Sequence, residues 1–271
     1  MQELLNQPAV QGGLVPFIVA LIVAELFQRM RLSGLAIIAG FAVTVYLVVG
    51  FSFEPLTASR KIVLLSLLST GIAVPLMLFN PRWMRSLLAV SGGGAAVWVM
   101  LRILQYQEPT HMLLWGAGCA LYVGWQVFWF DGLRDAPVRA GAAGMALGLG
   151  SGAAALFGAS ALLGQFGLAL GAAAGAGLLI QMLTNSPLPC GRSYTLPLSL
   201  IAALAASLAV LTAELPWYAL TVLAVIPLAA RVPLPEKQAL WMQSILLSAV
   251  TLLCAAGAVY LTWRVAGAPP L

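Results

Sequence analysis

The residues that could do chemistry are few in this sequence and lie far apart. His111 is the only histidine, so a histidine-rich metal or haem site is excluded and imidazole acid–base catalysis has a single candidate. Cys119, Cys190 and Cys254 form no CxxC pair and no metal-ligand spacing. There are no paired carboxylates and no Ser/His/Asp set, so the chain is read as a non-enzyme without metal or cofactor. Gly148-Leu-Gly-Ser-Gly152 has glycines like those of a phosphate loop, but it follows no strand pattern and lies in an apolar run. That removes the mechanism.

What remains is a set of polar and helix-breaking residues inside apolar segments. Ser91-Gly92-Gly93-Gly94 should interrupt the fourth such segment, and Pro75 sits inside the third. A broken helix exposes backbone groups that must face protein or a watery cavity, so a substrate site is first sought there. Ser69, Thr70, Gln126, Gln165 and Gln181 are the polar side chains that could complete it. The plainer account of the same residues is packing around a kink. Ionisable groups mark proton and ion paths within a membrane. Here Lys61 and Lys237 lie at segment ends, Glu54 and Glu214 in loops, Arg102 near an end, and Glu25 one turn before Arg29. No such path is visible.

The elements that must hold these residues follow from composition. Of 271 residues 62% are hydrophobic and 8% charged, with a mean hydropathy of +0.99. A soluble domain carries about 25% charged residues, so this chain belongs in a lipid bilayer. Both faces of its segments are apolar, whereas strands of a membrane barrel alternate apolar and polar residues. The fold class is therefore an all-α polytopic membrane helix bundle. The net charge of +5 is scattered, as the basic loops of membrane proteins are, and does not point to nucleic acid.

Charges, prolines and polar clusters divide the chain into ten apolar segments, at 13–27, 32–50, 62–79, 87–104, 112–130, 140–157, 161–183, 196–213, 217–230 and 240–263. The division at Phe157-Gly158-Ala159-Ser160 rests on length. No Asp, Glu, Lys, Arg or His occurs between Arg139 and Arg192, and one helix over that stretch would run roughly 78 Å against a hydrocarbon core of about 30 Å. Lys and Arg in short loops mark the cytoplasmic side. With the amino terminus outside, the inner loops hold Arg29, Arg31, Arg82, Arg85, Arg134, Arg139, Arg192, Arg231 and Lys237, against Arg60, Lys61, Arg102 and Arg264 outside. Both termini are thus expected outside, in a plasma membrane such as the bacterial inner membrane. Trp83, Trp129, Trp217, Trp241 and Trp263 lie near segment ends as interface anchors.

Self-comparison suggests a duplication. Ala120–Trp125 resembles Ala258–Trp263 through a shared Tyr-x-x-Trp, and Leu87–Val90 resembles Val222–Val225, both at offsets near half the chain. A five-span unit copied once re-enters from the opposite face, giving two inverted five-helix repeats with a site at their interface. The halves would be residues 1–130 and 140–271, joined by a cytoplasmic linker at 131–139. In that linker Asp135 and Arg139 could pair at i, i+4 on a short helix, and the charge cluster is read as a solvated loop before a partner-binding site. Gly144, Gly148 and Gly152, and likewise Gly167, Gly171 and Gly175, recur every fourth residue and should form close helix-packing faces. The expected function is a permease for a small neutral or apolar solute. The alternative is a non-catalytic subunit packed among other membrane subunits, favoured by uniformly apolar spans and short loops.

Overall fold

A chain this apolar has to close its backbone hydrogen bonds within itself, because lipid offers no partners. Among the described residues the computed structural model does so with helices and no strand. Those residues are 7–28, 32–51, 54–76, 81, 83–213, 215–234 and 238–266. Glu3, Arg29, Arg31, Arg82, Glu214 and Lys237 lie outside them, as do residues 77–79 of the third expected segment.

Ten helices account for the ten segments. They are α1 (a π-helical turn Val10–Leu14 running into Val15–Phe27), α2 (Leu35–Val48), α3 (Ala58–Leu76), α4 (Met84–Leu104) and α5 (Pro109–Asp131), followed by α6 (Pro137–Phe157), α7 (Ala161–Thr184), α8 (Gly191–Thr212), α9 (Trp217–Ala229) and α10 (Leu240–Ala266). Eight are long and apolar enough to cross a membrane, while α2 and α9 are shorter. Proline opens α5 and α6 at Pro109 and Pro137, where the first turn has no use for an amide hydrogen. In the π turn of α1 the amide that would bond the Gln11 carbonyl belongs to Pro16, which has none, and that carbonyl accepts a hydrogen bond from Thr44 Oγ1 of α2 at 2.9 Å.

The stretch without charges is an antiparallel hairpin of α6 and α7, turning at Phe157–Ser160. Ala159 adopts a left-handed conformation, φ 64°. Its amide donates to Leu156 O at 3.1 Å, and the Ser160 amide to Ala155 O at 2.9 Å. These are the two bonds of a Schellman cap, here with alanine in the place usually held by glycine. Below the turn the glycine faces meet. A β-carbon on Gly148 would press on the Gly171 nitrogen, and one on Gly152 would lie 2.5 Å from Leu168 N. Gly144 abuts Leu198 of α8, and Gly175 faces Met145. Without a hydrophobic drive between helices in lipid, such backbone-to-backbone packing is what holds them.

Helix α8 occupies the centre, against α2, α3, α4, α5, α6, α7 and α9. Its apolar stretch is 83% buried, compared with 22% for α1 and 28% for α3. The pairs α1–α2, α4–α5 and α9–α10 pack around α6–α8. This arrangement gives the expected inverted repeat no support. An inverted repeat would put α1 and α6, and α3 and α8, in equivalent surroundings, yet α6 and α8 are interior and α1 and α3 peripheral. The shared Tyr-x-x-Trp diverges likewise, with Tyr122 8% exposed and Tyr260 53% exposed. Leu88 and Leu223 of the second matching pair are both buried, a likeness that helical period alone supplies.

Two expected breaks also differ. Ser91–Gly94 does not interrupt α4, which runs unbroken from Met84 to Leu104. Glycine lowers helix propensity by about 1 kcal/mol, whereas an unpaired backbone group in lipid costs several. The glycines serve contact instead. A β-carbon on Gly93 would lie 2.9 Å from Ala120 O, and one on Gly124 of α5 2.9 Å from Ala89 O. Pro75 falls in the last described turn of α3, on an exposed face, and does not divide the helix.

Candidate functional site

The polar residues sought as one substrate site are spread over several places. Ser69, Ser91 and Gly92 line a crevice of about 160 Å³ between α3, α4 and α8. Their hydroxyls are already satisfied within their own helices, Ser69 Oγ on Ser66 O at 2.8 Å and Ser91 Oγ on Leu88 O at 2.9 Å. Thr70 Oγ1 donates to Ser66 O as well, at 3.0 Å. Gly93 and Gly94 lie on another face of α4, toward α5. Gln165 is packed on Gly12 of α1. Gln181 is buried in α7, with its amide on Gly177 O at 3.3 Å.

Gln126 has a more specific task, and α9 sets it. Pro227 lies inside α9 and has no amide hydrogen for the Leu223 carbonyl one turn earlier. Gln126 Nε2 of α5 donates to Leu223 O at 3.0 Å, and Trp125 Nε1 to the adjoining Ala224 O at 3.0 Å. The same amide reaches the Tyr122 hydroxyl at 3.3 Å. Beside this polar joint, α5 and α9 flank a half-open cavity of about 520 Å³. Trp115, Gly118, Cys119 and Tyr122 form its α5 wall, and Trp217, Leu220, Thr221 and Ala224 its α9 wall. Pockets for small ligands span roughly 300–1,000 Å³. No charged side chain lines the cavity, and Thr221 Oγ1 is turned onto Tyr218 O at 2.6 Å. The site can therefore hold a small uncharged molecule.

The other concentration of chemistry is ionic and lies at one end of the bundle. Asp131 and Arg192 form a buried pair, Nε to Oδ1 at 2.9 Å, across 61 residues of chain. Arg134 takes the second oxygen of Asp131 at 2.9 Å, and Arg192 Nη1 also donates to Leu76 O at 3.1 Å. The expected Asp135–Arg139 pair is not formed. Exposed Asp135 pairs with Arg134 at 3.3 Å, and Arg139 instead donates to Ala230 O and Val232 O at 2.7 and 3.0 Å. Those carbonyls follow the end of α9 and have no later helical turn to bond them. Arg85 Nε donates to Phe128 O at 2.6 Å, and Arg231 Nη2 to Trp129 O at 3.1 Å. Burial, and then the charge of Arg139, pull the Arg231 guanidinium below its ordinary value.

Arg85, Arg134, Arg139, Arg192 and Arg231, all placed in inner loops by the sequence, gather at one end of the bundle. The convergence of Arg85, Arg134, Arg192 and Arg231 on the end of α5 carries no local signal. Tyr122 and Cys119 were not among the expected substrate residues, although Gly118, Tyr122 and Gln126 share one face at four-residue spacing, and Pro227 announces a carbonyl in need of a donor. Comparison with known proteins adds no assignment: no family model, no curated protein and no solved structure matches the chain.

Proposed function

We propose that this integral membrane protein is a permease whose solute, small and neutral or apolar, occupies the cavity between α5 and α9. The observation that carries the reading is the cavity itself: about 520 Å³, with no charged side chain among the described residues that line it. Its α9 wall is a short helix with Pro227 inside it, an element with fewer internal bonds to hold it in one shape. The described helices keep their charged side chains in or beside their end turns, which fits an uncharged cargo and no ion coupling through the middle of the bundle. The reading does not depend on a five-plus-five repeat, and it involves no catalysis.

The arginine-rich end is assigned to the cytoplasm of a bacterial inner membrane, with both termini outside. Labelling at Phe157–Ser160 should then report the outer side; a cytoplasmic signal there would reverse the assignment.

A non-catalytic subunit of a larger complex is the second reading, favoured by the sealed glycine-packed core of α6–α8 and the broad apolar faces of α4, α5 and α10. Gly118 separates the two, because a β-carbon there meets nothing within 4 Å and a longer side chain can fill the cavity without moving backbone. Purified chain should run alone in mild detergent, be stabilised by a neutral aromatic probe such as indole, and carry it into proteoliposomes. Gly118→Leu should abolish both effects. Stable co-purification with other subunits, and indifference to probe and substitution alike, would transfer the assignment to the second reading.

A further inference from the structure

Arg85 and Arg231 are brought face to face without a carboxylate between them. Both guanidinium groups close over Gly132 at the end of α5, where a β-carbon would meet Arg231 Nη2 and lie 3.0 Å from Arg85 Nη2. Trp129 lies under both: Arg231 Cζ is 4.5 Å from its ring centroid and Arg85 Cζ 5.3 Å, while Arg85 also stacks on Phe128 at 3.7 Å. The acids of this region, Asp131 and Asp135, are engaged by Arg134 and Arg192. Neither Arg85 nor Arg231 has an ion-pair partner among the described residues. Arg85 Nη2, Arg231 Nε and Trp129 Nε1 are all buried with no hydrogen-bond acceptor. Like charges at this range repel, and a doubly bonding oxyanion is the ligand that satisfies them.

An apolar groove begins at the same place. It lies between α4 and α5, holds about 660 Å³, and starts at the Phe128 and Trp129 rings beneath the Arg85 guanidinium. From there it follows Ala89, Gly93 and Val97 on one side and Gly124, Ala120 and Leu121 on the other. On α4 that is a length of roughly 12 Å. Gly94 leaves it open, since a β-carbon there would meet nothing within 4 Å. It is distinct from the α5–α9 cavity, which uses other residues of α5.

We propose that this end of the molecule binds one anionic phospholipid, its phosphate held by Arg85 and Arg231 and one acyl chain lying in the α4–α5 groove. Basic pockets between membrane helices recognise lipid headgroups in this way. The phosphate supplies the missing acceptor, and the groove distinguishes a lipid from free phosphate. Binding here does not require the chain to be a permease.

The test is the thermal midpoint of the full-length chain in a neutral detergent, titrated separately with phosphatidylglycerol, phosphatidylcholine and inorganic phosphate. Phosphatidylglycerol should raise the midpoint saturably and at concentrations about tenfold below phosphatidylcholine, as expected of charge-assisted bonds. Arg85→Gln with Arg231→Gln should remove that preference. Gly94→Leu, which leaves the arginines intact, should weaken the phosphatidylglycerol effect and leave any phosphate effect unchanged. Equal responses to the two lipids, or a preference that survives the arginine pair's replacement, would overturn the site. A phosphate response matching that of phosphatidylglycerol, or indifference to Gly94→Leu, would overturn the lipid assignment.

Discussion

Replacing Gly148 by alanine tests whether α6 and α7 are held by direct backbone contact. The new β-carbon would press on Gly171 N and lie 2.6 Å from Gly171 Cα and 2.9 Å from Gly167 O. All are backbone atoms, so no side chain can swing aside and the helices must part. Carbon atoms rest about 3.5–4.0 Å apart, which asks for a separation of roughly 1 Å. Overpacking of this kind costs about 1–3 kcal/mol, and alanine's better helix propensity returns at most about 1. Gly175 is the control on the same ladder. There the nearest atoms to a β-carbon are Met145 Sδ at 3.3 Å and Met145 Cγ at 3.7 Å, both on a flexible side chain. Gly175→Ala should therefore stay within about 0.5 kcal/mol of the parent. Thermal midpoints in one mild detergent give the comparison, at about 2–4 °C per kcal/mol for chains of this order of size. Gly148→Ala should fall by several degrees and Gly148→Leu further, with Gly175→Ala unmoved. Indistinguishable midpoints for Gly148→Ala and Gly175→Ala would refute the reasoning.

Ala159→Gly should raise the midpoint by the equivalent of about 1 kcal/mol, because a side chain at φ 64° carries a left-handed penalty that glycine avoids. Asp131→Ala should cost about 3–5 kcal/mol by removing the buried carboxylate that both Arg192 and Arg134 bond, while Asp131→Leu with Arg192→Met costs less than that single change in the same melt. Gln126→Leu should cost about 1–3 kcal/mol in the parent, where it strands the Leu223 carbonyl, and less in a Pro227→Ala background, where α9 can bond that carbonyl itself; an additive double-mutant cycle would refute the link. Burial pushes the Cys190 thiol up to about 12, so it stays protonated through pH 10, and a water-soluble maleimide should leave it unmodified in the folded chain, as read by mass spectrometry.

How much of this was legible beforehand depends on what lipid can and cannot mark. Helix number and ends were legible because proline and charge punctuate them: the expected segment 140–157 became Pro137–Phe157, and 161–183 became Ala161–Thr184. Depth in the bundle was not. Leu253 faces outward and Leu204 sits at the centre, yet both are equally at home in hydrocarbon, so apolar patterning cannot separate them. Small residues are the mark that survives. They identified the α6–α7 contact through Gly148 and Gly171, and the buried Ala202, Ala203, Ala205 and Ala206 of α8 carry the same signal for the central helix. Reading Ser91–Gly94 as a break gave weight to glycine's low helix propensity, about 1 kcal/mol per residue, which the several kcal/mol cost of an unpaired backbone group in lipid outweighs.

The candidate sites show the complementary limit. A membrane helix that departs from regular bonding creates a debt at a known atom, and the sequence names the debtor without naming the partner. Pro227 implies that the Leu223 carbonyl needs a donor; only the fold, which brings α5 against α9, shows that Gln126 supplies it and so holds Tyr122 at the cavity edge. The arginines follow the same logic in reverse. Their number on one side was countable, but Arg85 and Arg231 become a site only because Gly132 lacks a β-carbon and lets both groups close over one point above Trp129. Gly132 is thus the residue on which that geometry turns. Gly132→Ala should separate the two guanidinium groups without changing the charge of the chain, and a phosphatidylglycerol preference lost in Gly132→Ala would show that their placement, beyond their number, makes the site.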